Sequence, residues 1–228
     1  MRWLIPLLLF PLPSLAQEVD LELVLLADAS GSIDQEEVVF QRQGYASAIT
    51  HPDVLDAIST TLTGTIAVTY VEWAANQVVV VDWQVIDGPE AAQDFAARLL
   101  LPPRLATGRN AIGAALLEGK RLIEDNPITS LRQVIDFSGD SVGNFSGPRI
   151  ADARAEVLAA GITINGLPIL RDDRAEDLVT AYENLIIGGP GAFVVAATSR
   201  DTFAAAVRRK LVLEIAGELP QIQVAQTP

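Results

Sequence analysis

The stretch Val19–Asp34, VDLELVLLADASGSID, decides the fold. It begins as an alternation of apolar and polar residues and becomes a continuous apolar run that ends in Asp28, a pattern typical of a central strand buried on both faces. Apolar residues at helical spacing follow over Ile33–Thr50, and Asp34 is placed to cap the start of that helix. A strand therefore passes into a helix through a short polar loop.

The rest of the chain continues to alternate strands with helices. Thr65–Trp73 and Val78–Trp83 are rich in β-branched and aromatic residues, and only four residues separate them, so they predict an antiparallel hairpin. Further helices are predicted over Pro89–Leu101, Ala111–Glu124, Pro148–Ala160, Ala175–Glu183 and Asp201–Ile215, and further strands over Leu131–Phe137, Ile162–Leu167 and Ala192–Ala197. This order indicates one α/β domain, a doubly wound, mostly parallel Rossmann-like sheet with one antiparallel edge strand and helices on both faces.

The N-terminal residues 1–16 read as a signal peptide. Arg2 precedes an apolar run, and Ser14-Leu15-Ala16 has the small-x-small pattern of a cleavage site. A retained membrane anchor is the alternative, but prolines interrupt the run, which is shorter than the roughly 20 residues of a spanning helix. We therefore expect an exported bacterial protein, periplasmic or secreted, with a domain over residues 17–220, a fraying polar tail over 221–228 and no membrane span in the mature chain.

Charge and cysteine content exclude several classes of function. The 228 residues carry a formal net charge of −13 and no cysteine. Nucleic acid is therefore a poor partner, because binding phosphate requires a basic surface. Thiol chemistry, disulfides and cysteine-ligated zinc are excluded as well.

Polar residues that could hold a metal follow the first strand. In an extended loop, residues two apart point the same way, so Asp28, Ser30 and Ser32 can converge and offer one carboxylate and two hydroxyl oxygens. A hard cation such as Mg²⁺, Mn²⁺ or Ca²⁺ prefers such an all-oxygen set. The alternative is a simple strand-to-helix turn that uses the same residue types to cap the helix.

Three segments together resemble the von Willebrand factor type A (VWFA) family. Asp28–Ser32, DASGS, resembles the D-x-S-x-S element of its metal-ion-dependent adhesion site; Gly108–Leu116, GRNAIGAAL, is similar to its second loop; and Ser138-Gly139-Asp140 is similar to its third. The resemblance covers Val19 to Ile215. The first stretch and the SGDS turn also look like an uncharacterised family of exported bacterial VWFA proteins.

The resemblance implies a metal-dependent protein-binding module. Ser30 and Ser32 would ligate the cation directly, and Asp28 and Asp140 directly or through water. An open coordination position would accept an Asp or Glu carboxylate from a protein partner. Asn110 stands where the family has threonine, so either its amide oxygen or Thr107 would fill that place; the alternative role for Asn110 is only to cap its helix.

An esterase is the competing interpretation. Gly139-Asp140-Ser141 resembles the G-D-S block of a lipase and esterase family, in which Ser141 would be the nucleophile. The only histidine is His51, which the sequence places just after the first helix, where it would interact with the helix dipole. That family has its G-D-S block after the first strand and its base near the C-terminus. Both expectations fail here, so we expect no enzymatic activity; a metal-free structural module is the third alternative.

Overall fold

A computed structural model describes residues 17–170 and 175–217. The predicted signal peptide, residues 1–16, and the predicted tail, residues 221–228, lie outside the described residues. The five strands of the described sheet are β1 (Gln17–Asp28), β2 (Ile66–Trp73), β3 (Gln77–Ile86), β4 (Ile128–Gly139) and β5 (Thr163–Pro168). The helices are α1 (Gln35–Ile49), α2 (Pro52–Ser59), α3 (Pro89–Leu100), α4 (Ile112–Glu124), α5 (Ile150–Ala159), α6 (Ala175–Leu185) and α7 (Arg200–Ala216).

The sheet confirms the predicted fold class. Its strand order is β3-β2-β1-β4-β5, with β1 parallel to both β2 and β4 and with β3 antiparallel to β2 at the edge. The chain winds from β1 toward β2 on one side and later returns to place β4 on the other. The winding direction therefore reverses beside β1, which is where open α/β sheets bind ligands.

The side chains of β1 alternate between two apolar cores. Leu23 and Leu25 face a core shared with α1, α2, α3 and α7, whereas Val24 and Leu26 face a core shared with α4, α5 and α6. The continuous apolar run is explained by this position, since a central strand covered by helices on both sides has no solvent face. Asp34 caps α1 as predicted, in a reciprocal capping box with Glu37.

His51 lies just after α1, as predicted, and its N–H donates to the Ala48 carbonyl at the end of that helix. Its side chain also has a second contact: Nδ1 accepts a hydrogen bond from the Asp53 N–H, 3.2 Å away, and caps the start of α2. Helix α2 is not among the predicted helices; Pro52 occupies its first position, where the N–H that proline lacks would have no partner within the helix.

Ala192–Ala197 does not form a regular strand. It runs beside β5 but pairs through isolated bridges, at Gly166–Val194 and Ile169–Ala197. Pro168 lies between these bridges and has no N–H, so the ladder of hydrogen bonds is interrupted there.

A buried charge cluster joins α7 to the sheet. It consists of Asp136, Lys210 and Glu214, with Asn165 beside them, and all four are at most 3% exposed. Lys210 Nζ lies 2.8 Å from Asp136 Oδ1 and also contacts Glu214. Asp136 therefore points toward helix α7 and an ionic partner. Burial raises the pKa of both carboxyl groups, against the opposing effect of the Lys210 charge.

None of the helices in residues 17–170 and 175–217 is long and apolar enough to cross a membrane.

Candidate metal centre

The predicted site residues meet at the carboxyl edge of the sheet, where the winding reverses. Asp28 is the last residue of β1, and Asp140 follows the end of the adjacent strand β4. The parallel register pairs Leu26 with Phe137, which brings both acids to the same edge. Asn110 reaches this edge from the loop before α4.

The loop after β1 folds back on itself through the Asp28 side chain. The Ser30 N–H donates a hydrogen bond to Asp28 Oδ1 over 2.8 Å, and both residues are at most 1% exposed. The hydroxyl oxygens of Ser30 and Ser32 lie 3.3 Å apart. Asp28, Ser30 and Ser32 therefore converge as the spacing predicts.

The loops before α4 and after β4 complete a cavity of about 400 Å³ above that pair of serines. The Ser32 hydroxyl donates to Asp140 Oδ1 over 3.1 Å, and the Asn110 amide donates to Ser141 Oγ over 2.8 Å. The cavity is lined by Gly31, Ser32, Arg109, Asn110, Asp140, Ser141 and Phe145.

Asn110 rather than Thr107 faces this cavity. Thr107 is exposed and lies outside the lining, and its backbone N–H donates to the side chain of Asn76. The alternative in which Asn110 only caps its helix is wrong, because Ala111 occupies the N-cap position and no side chain caps α4.

The electrostatics of Asp28 fit a cation. Burial raises its pKa from the ordinary value of 3.8 to about 7, and the nearby charge of Asp140 adds to the rise, against the hydrogen bonds from Ser30. Among the side chains and backbone of residues 17–170 and 175–217, the buried Asp28 Oδ2 has no hydrogen-bond partner. An unpaired buried carboxylate oxygen is costly, and a cation would offset that cost.

The chemistry of the donor set also suits a divalent cation. Residues 17–170 and 175–217 contain no cluster of three or more His, Cys, Asp or Glu side chains that could hold a metal. The convergent groups here are two carboxylates, two hydroxyls and an amide, all of which offer oxygen. Such a set suits a hard divalent cation rather than a softer metal that favours nitrogen or sulfur.

Arg104, which no sequence pattern singles out, fixes the first loop, the one after β1, through hydrogen bonds to its backbone. Its guanidinium donates to the carbonyl oxygens of Ala29, of Ser30 at 3.1 Å and of Ile33 at 2.8 Å. Its Nε donates to the Ala106 carbonyl, so the same side chain also fixes its own loop. The two serines are therefore positioned by a residue more than 70 positions away in the chain.

The first and second loops are also joined through Gly108. The Gly31 N–H donates to the Gly108 carbonyl over 2.8 Å. Gly108 has a φ of 102°, and a Cβ at this position would lie 2.7 Å from Ala75 Cβ. Only glycine satisfies both the backbone conformation and the close approach.

The two residues of the esterase alternative are far apart. Ser141 lies at the cavity and accepts the hydrogen bond from Asn110. Helix α1 begins just after the loop that carries Ser30 and Ser32, and His51 lies beyond its other end. The 15 residues of α1 span about 22 Å at 1.5 Å per residue. His51 therefore does not act as the base for Ser141 in this arrangement.

Solved structures share this fold. A von Willebrand factor type A protein from Catenulispora acidiphila is 17% identical, with a TM-score of 0.58 over 87% of this chain and 43% of its own. Proximal thread matrix protein 1 from the mussel byssus, with a zinc-occupied MIDAS motif, is 15% identical, with a TM-score of 0.58 over 88% and 49%. This chain thus spans less than half the length of either protein.

A third match has nearly the same extent as this chain. The vWF domain of the type V pili tip protein Mfa5 from Porphyromonas gingivalis is 10% identical, with a TM-score of 0.55 over 85% of this chain and 94% of that domain. At these identities the matches show the fold alone.

Sequence comparison gives the family directly. No curated protein matches the chain significantly. The family model described as "Protein of unknown function (DUF1194)" matches residues 18–219, nearly all of the described chain. The protein therefore belongs to the DUF1194 family and has the fold of a von Willebrand factor type A domain.

Proposed function

We propose that this protein binds a divalent cation, Mg²⁺ or a similar hard ion such as Mn²⁺ or Ca²⁺, and uses it to capture a carboxylate of a protein partner. The observation that carries the proposal is the buried Asp28 carboxylate. Within the part of the chain that the structure describes, its Oδ2 has no hydrogen-bond partner, although it lies at the convergence of three loops rich in oxygen ligands. A cation is the group whose charge would offset this arrangement.

The ligand set leaves room for a partner. Asp28 and Asp140 contribute two negative charges, while Ser30, Ser32 and Asn110 contribute neutral oxygens. Bound there, the cation would supply a Lewis-acidic centre that attracts an Asp or Glu carboxylate. Ser32 is exposed and Asp140 is half-buried, so the cavity opens to solvent on the side from which a partner would approach.

We also propose that the protein acts outside the cytoplasm. The apolar N-terminal residues 1–16 end in a cleavage pattern, and the Mfa5 domain, which has the same fold, belongs to a pilus tip protein. N-terminal sequencing of protein from the secreted or periplasmic fraction should begin near Gln17. Recovery of intact Met1 from a membrane fraction would instead indicate a retained anchor.

Thermal melting with Mg²⁺ or with a chelator tests the metal proposal. A ligand that binds only the folded state stabilises it, so wild type should melt higher with Mg²⁺. Asp28→Ala should lose the Mg²⁺ effect, whereas Asp82→Ala, which removes an exposed acid on β3, should keep it. Identical curves for wild type in Mg²⁺ and in chelator would support the metal-free structural alternative.

Capture of native partners tests the second half of the proposal. Wild-type protein immobilised in Mg²⁺ should retain partners from a cell-envelope extract, and chelator should elute them. Asp28→Ala should retain none of this set. Retention that is insensitive to both chelator and Asp28→Ala would contradict metal-dependent capture.

A further inference from the structure

A cation–π pair lies at the rim of the metal cavity. The guanidinium carbon of Arg109 stands 3.7 Å from the ring centroid of Phe145. Both side chains line the cavity that contains Ser32 and Asp140. Arg109 is exposed and Phe145 is 56% exposed, so the pair faces solvent on the side where a partner would approach.

The exposed ring is held in place by the backbone around it. The Phe145 N–H donates to the Asn110 carbonyl over 2.9 Å, which joins the third loop to the second. The preceding Asn144 accepts from the Gly113 N–H and donates to the Pro148 carbonyl over 2.8 Å. An exposed aromatic ring on this loop does not contribute to the core, but it holds the guanidinium that lies over its face.

The contact with the ring does not use the N–H donors of Arg109 in a conventional hydrogen bond. Within residues 17–170 and 175–217, Arg109 forms no hydrogen bond or ion pair. A guanidinium presents a planar fork of N–H donors that matches a carboxylate in two parallel hydrogen bonds. The cavity lining contains Arg109 as its one cation and Asp140 as its one acid, so within this lining Arg109 is the position that attracts an anionic group.

We propose that the Arg109–Phe145 pair makes the site selective for an acidic peptide segment with two carboxylates. One carboxylate completes the shell of the metal, and the second forms a bidentate pair with Arg109 while the adjacent chain packs on the Phe145 ring. This inference rests on the proposed function, because the first carboxylate requires the cation.

Peptides with paired acids test the proposal. The probes are acetylated, dye-labelled peptides with two Glu separated by zero to four Gly, each matched by a peptide in which one Glu is replaced by Gln. Fluorescence anisotropy with the full protein in saturating Mg²⁺ should give, at one spacing, an affinity about fivefold higher for the diacid, a modest gain typical of one exposed ion pair. Arg109→Gln should abolish this preference.

Control variants separate orientation from charge. Phe145→Ala should reduce the preference for the diacid because the guanidinium is no longer stacked. Arg121→Gln removes an equal charge from the last turn of α4 and should leave the preference intact. Calorimetry should find the same Mg²⁺ affinity in Arg109→Gln as in wild type.

The outcomes distinguish the two proposals. If wild type binds Mg²⁺ but binds monoacid and diacid peptides equally, or binds none of them, the role of Arg109 is contradicted and the metal site stands. If wild type binds no Mg²⁺, the proposed function fails and this inference fails with it.

Discussion

Replacing Asp28 by Asn should stabilise the metal-free protein, and the gain should grow with pH. Burial raises the pKa of the Asp28 carboxyl in the folded protein to about 7, from 3.8 in the unfolded chain. Between these two values the folded state holds a proton that the unfolded state releases. Wild-type stability in chelator therefore falls as pH rises through this window, whereas the amide of the Asp28→Asn variant has no proton to lose.

The expected size follows from the two pKa values. One pKa unit corresponds to about 1.4 kcal/mol, so the full penalty above pH 7 is about 4 kcal/mol. At pH 5 the ionisation of Asp28 already lowers the free energy of unfolding of wild type by about 2 kcal/mol. A further loss of about 2–3 kcal/mol is expected between pH 5 and pH 8.5. For a chain of this size, that difference is roughly 5–10 °C in melting temperature.

Urea unfolding of wild type and Asp28→Asn in chelator, at pH 5 and pH 8.5, measures this difference. Comparing two pH values cancels any constant effect of the new amide group. Asp82→Asn controls for the loss of one negative charge outside the site. A stability difference between Asp28→Asn and wild type that stays constant from pH 5 to pH 8.5 would refute the reasoning. Saturating Mg²⁺ at pH 8.5 should reverse the order, because only wild type keeps the carboxylate.

Other residues give independent tests. Arg104→Ala should lower Mg²⁺ affinity at least tenfold in calorimetry because the carbonyls of the first loop lose their shared donor; unchanged affinity would contradict its positioning role. Asn110→Thr should keep or raise Mg²⁺ affinity, and a large loss in Thr107→Ala would assign the second-loop role to that residue instead. Lys210→Met should reduce the free energy of unfolding in urea by about 3–5 kcal/mol, because two buried carboxylates lose their cation; a loss under 1 kcal/mol would contradict the ionic role. Ser141→Ala should fold normally, and no ester hydrolysis should depend on this residue; turnover of a generic ester by wild type that disappears in this variant would support the esterase alternative.

The sequence predicts those features that depend on local pattern. The continuous apolar run ending at Asp28 identifies a central strand because such a strand must be apolar on both faces, and β1 has this arrangement. The hairpin follows from the shortness of the link between Trp73 and Val78. The convergence of the three loops follows from the parallel sheet: two of them come directly after β1 and β4, whose carboxyl ends lie at the same edge, and the third comes directly before α4.

Features that depend on distant contacts left no signal in the sequence. Arg104 looks like an ordinary loop residue, since the carbonyls that it contacts lie far away in the chain and any residue type can supply a carbonyl. Phe145 reads as an isolated aromatic residue until the structure places it under Arg109. Pro168 also acts at a distance in the sequence. Its missing N–H interrupts the hydrogen-bond ladder to Ala192–Ala197, so the segment that fails to form a strand is not the one that contains the proline.

An anomalous difference map from crystals grown with Mn²⁺ tests the metal site most directly, because it locates the ion without relying on stability or affinity. We expect one strong peak at the carboxyl edge of the sheet, within coordinating distance of Ser30, Ser32 and Asp140. A map at saturating Mn²⁺ with no peak there, or with its only peaks at other acidic surface residues, would contradict the account.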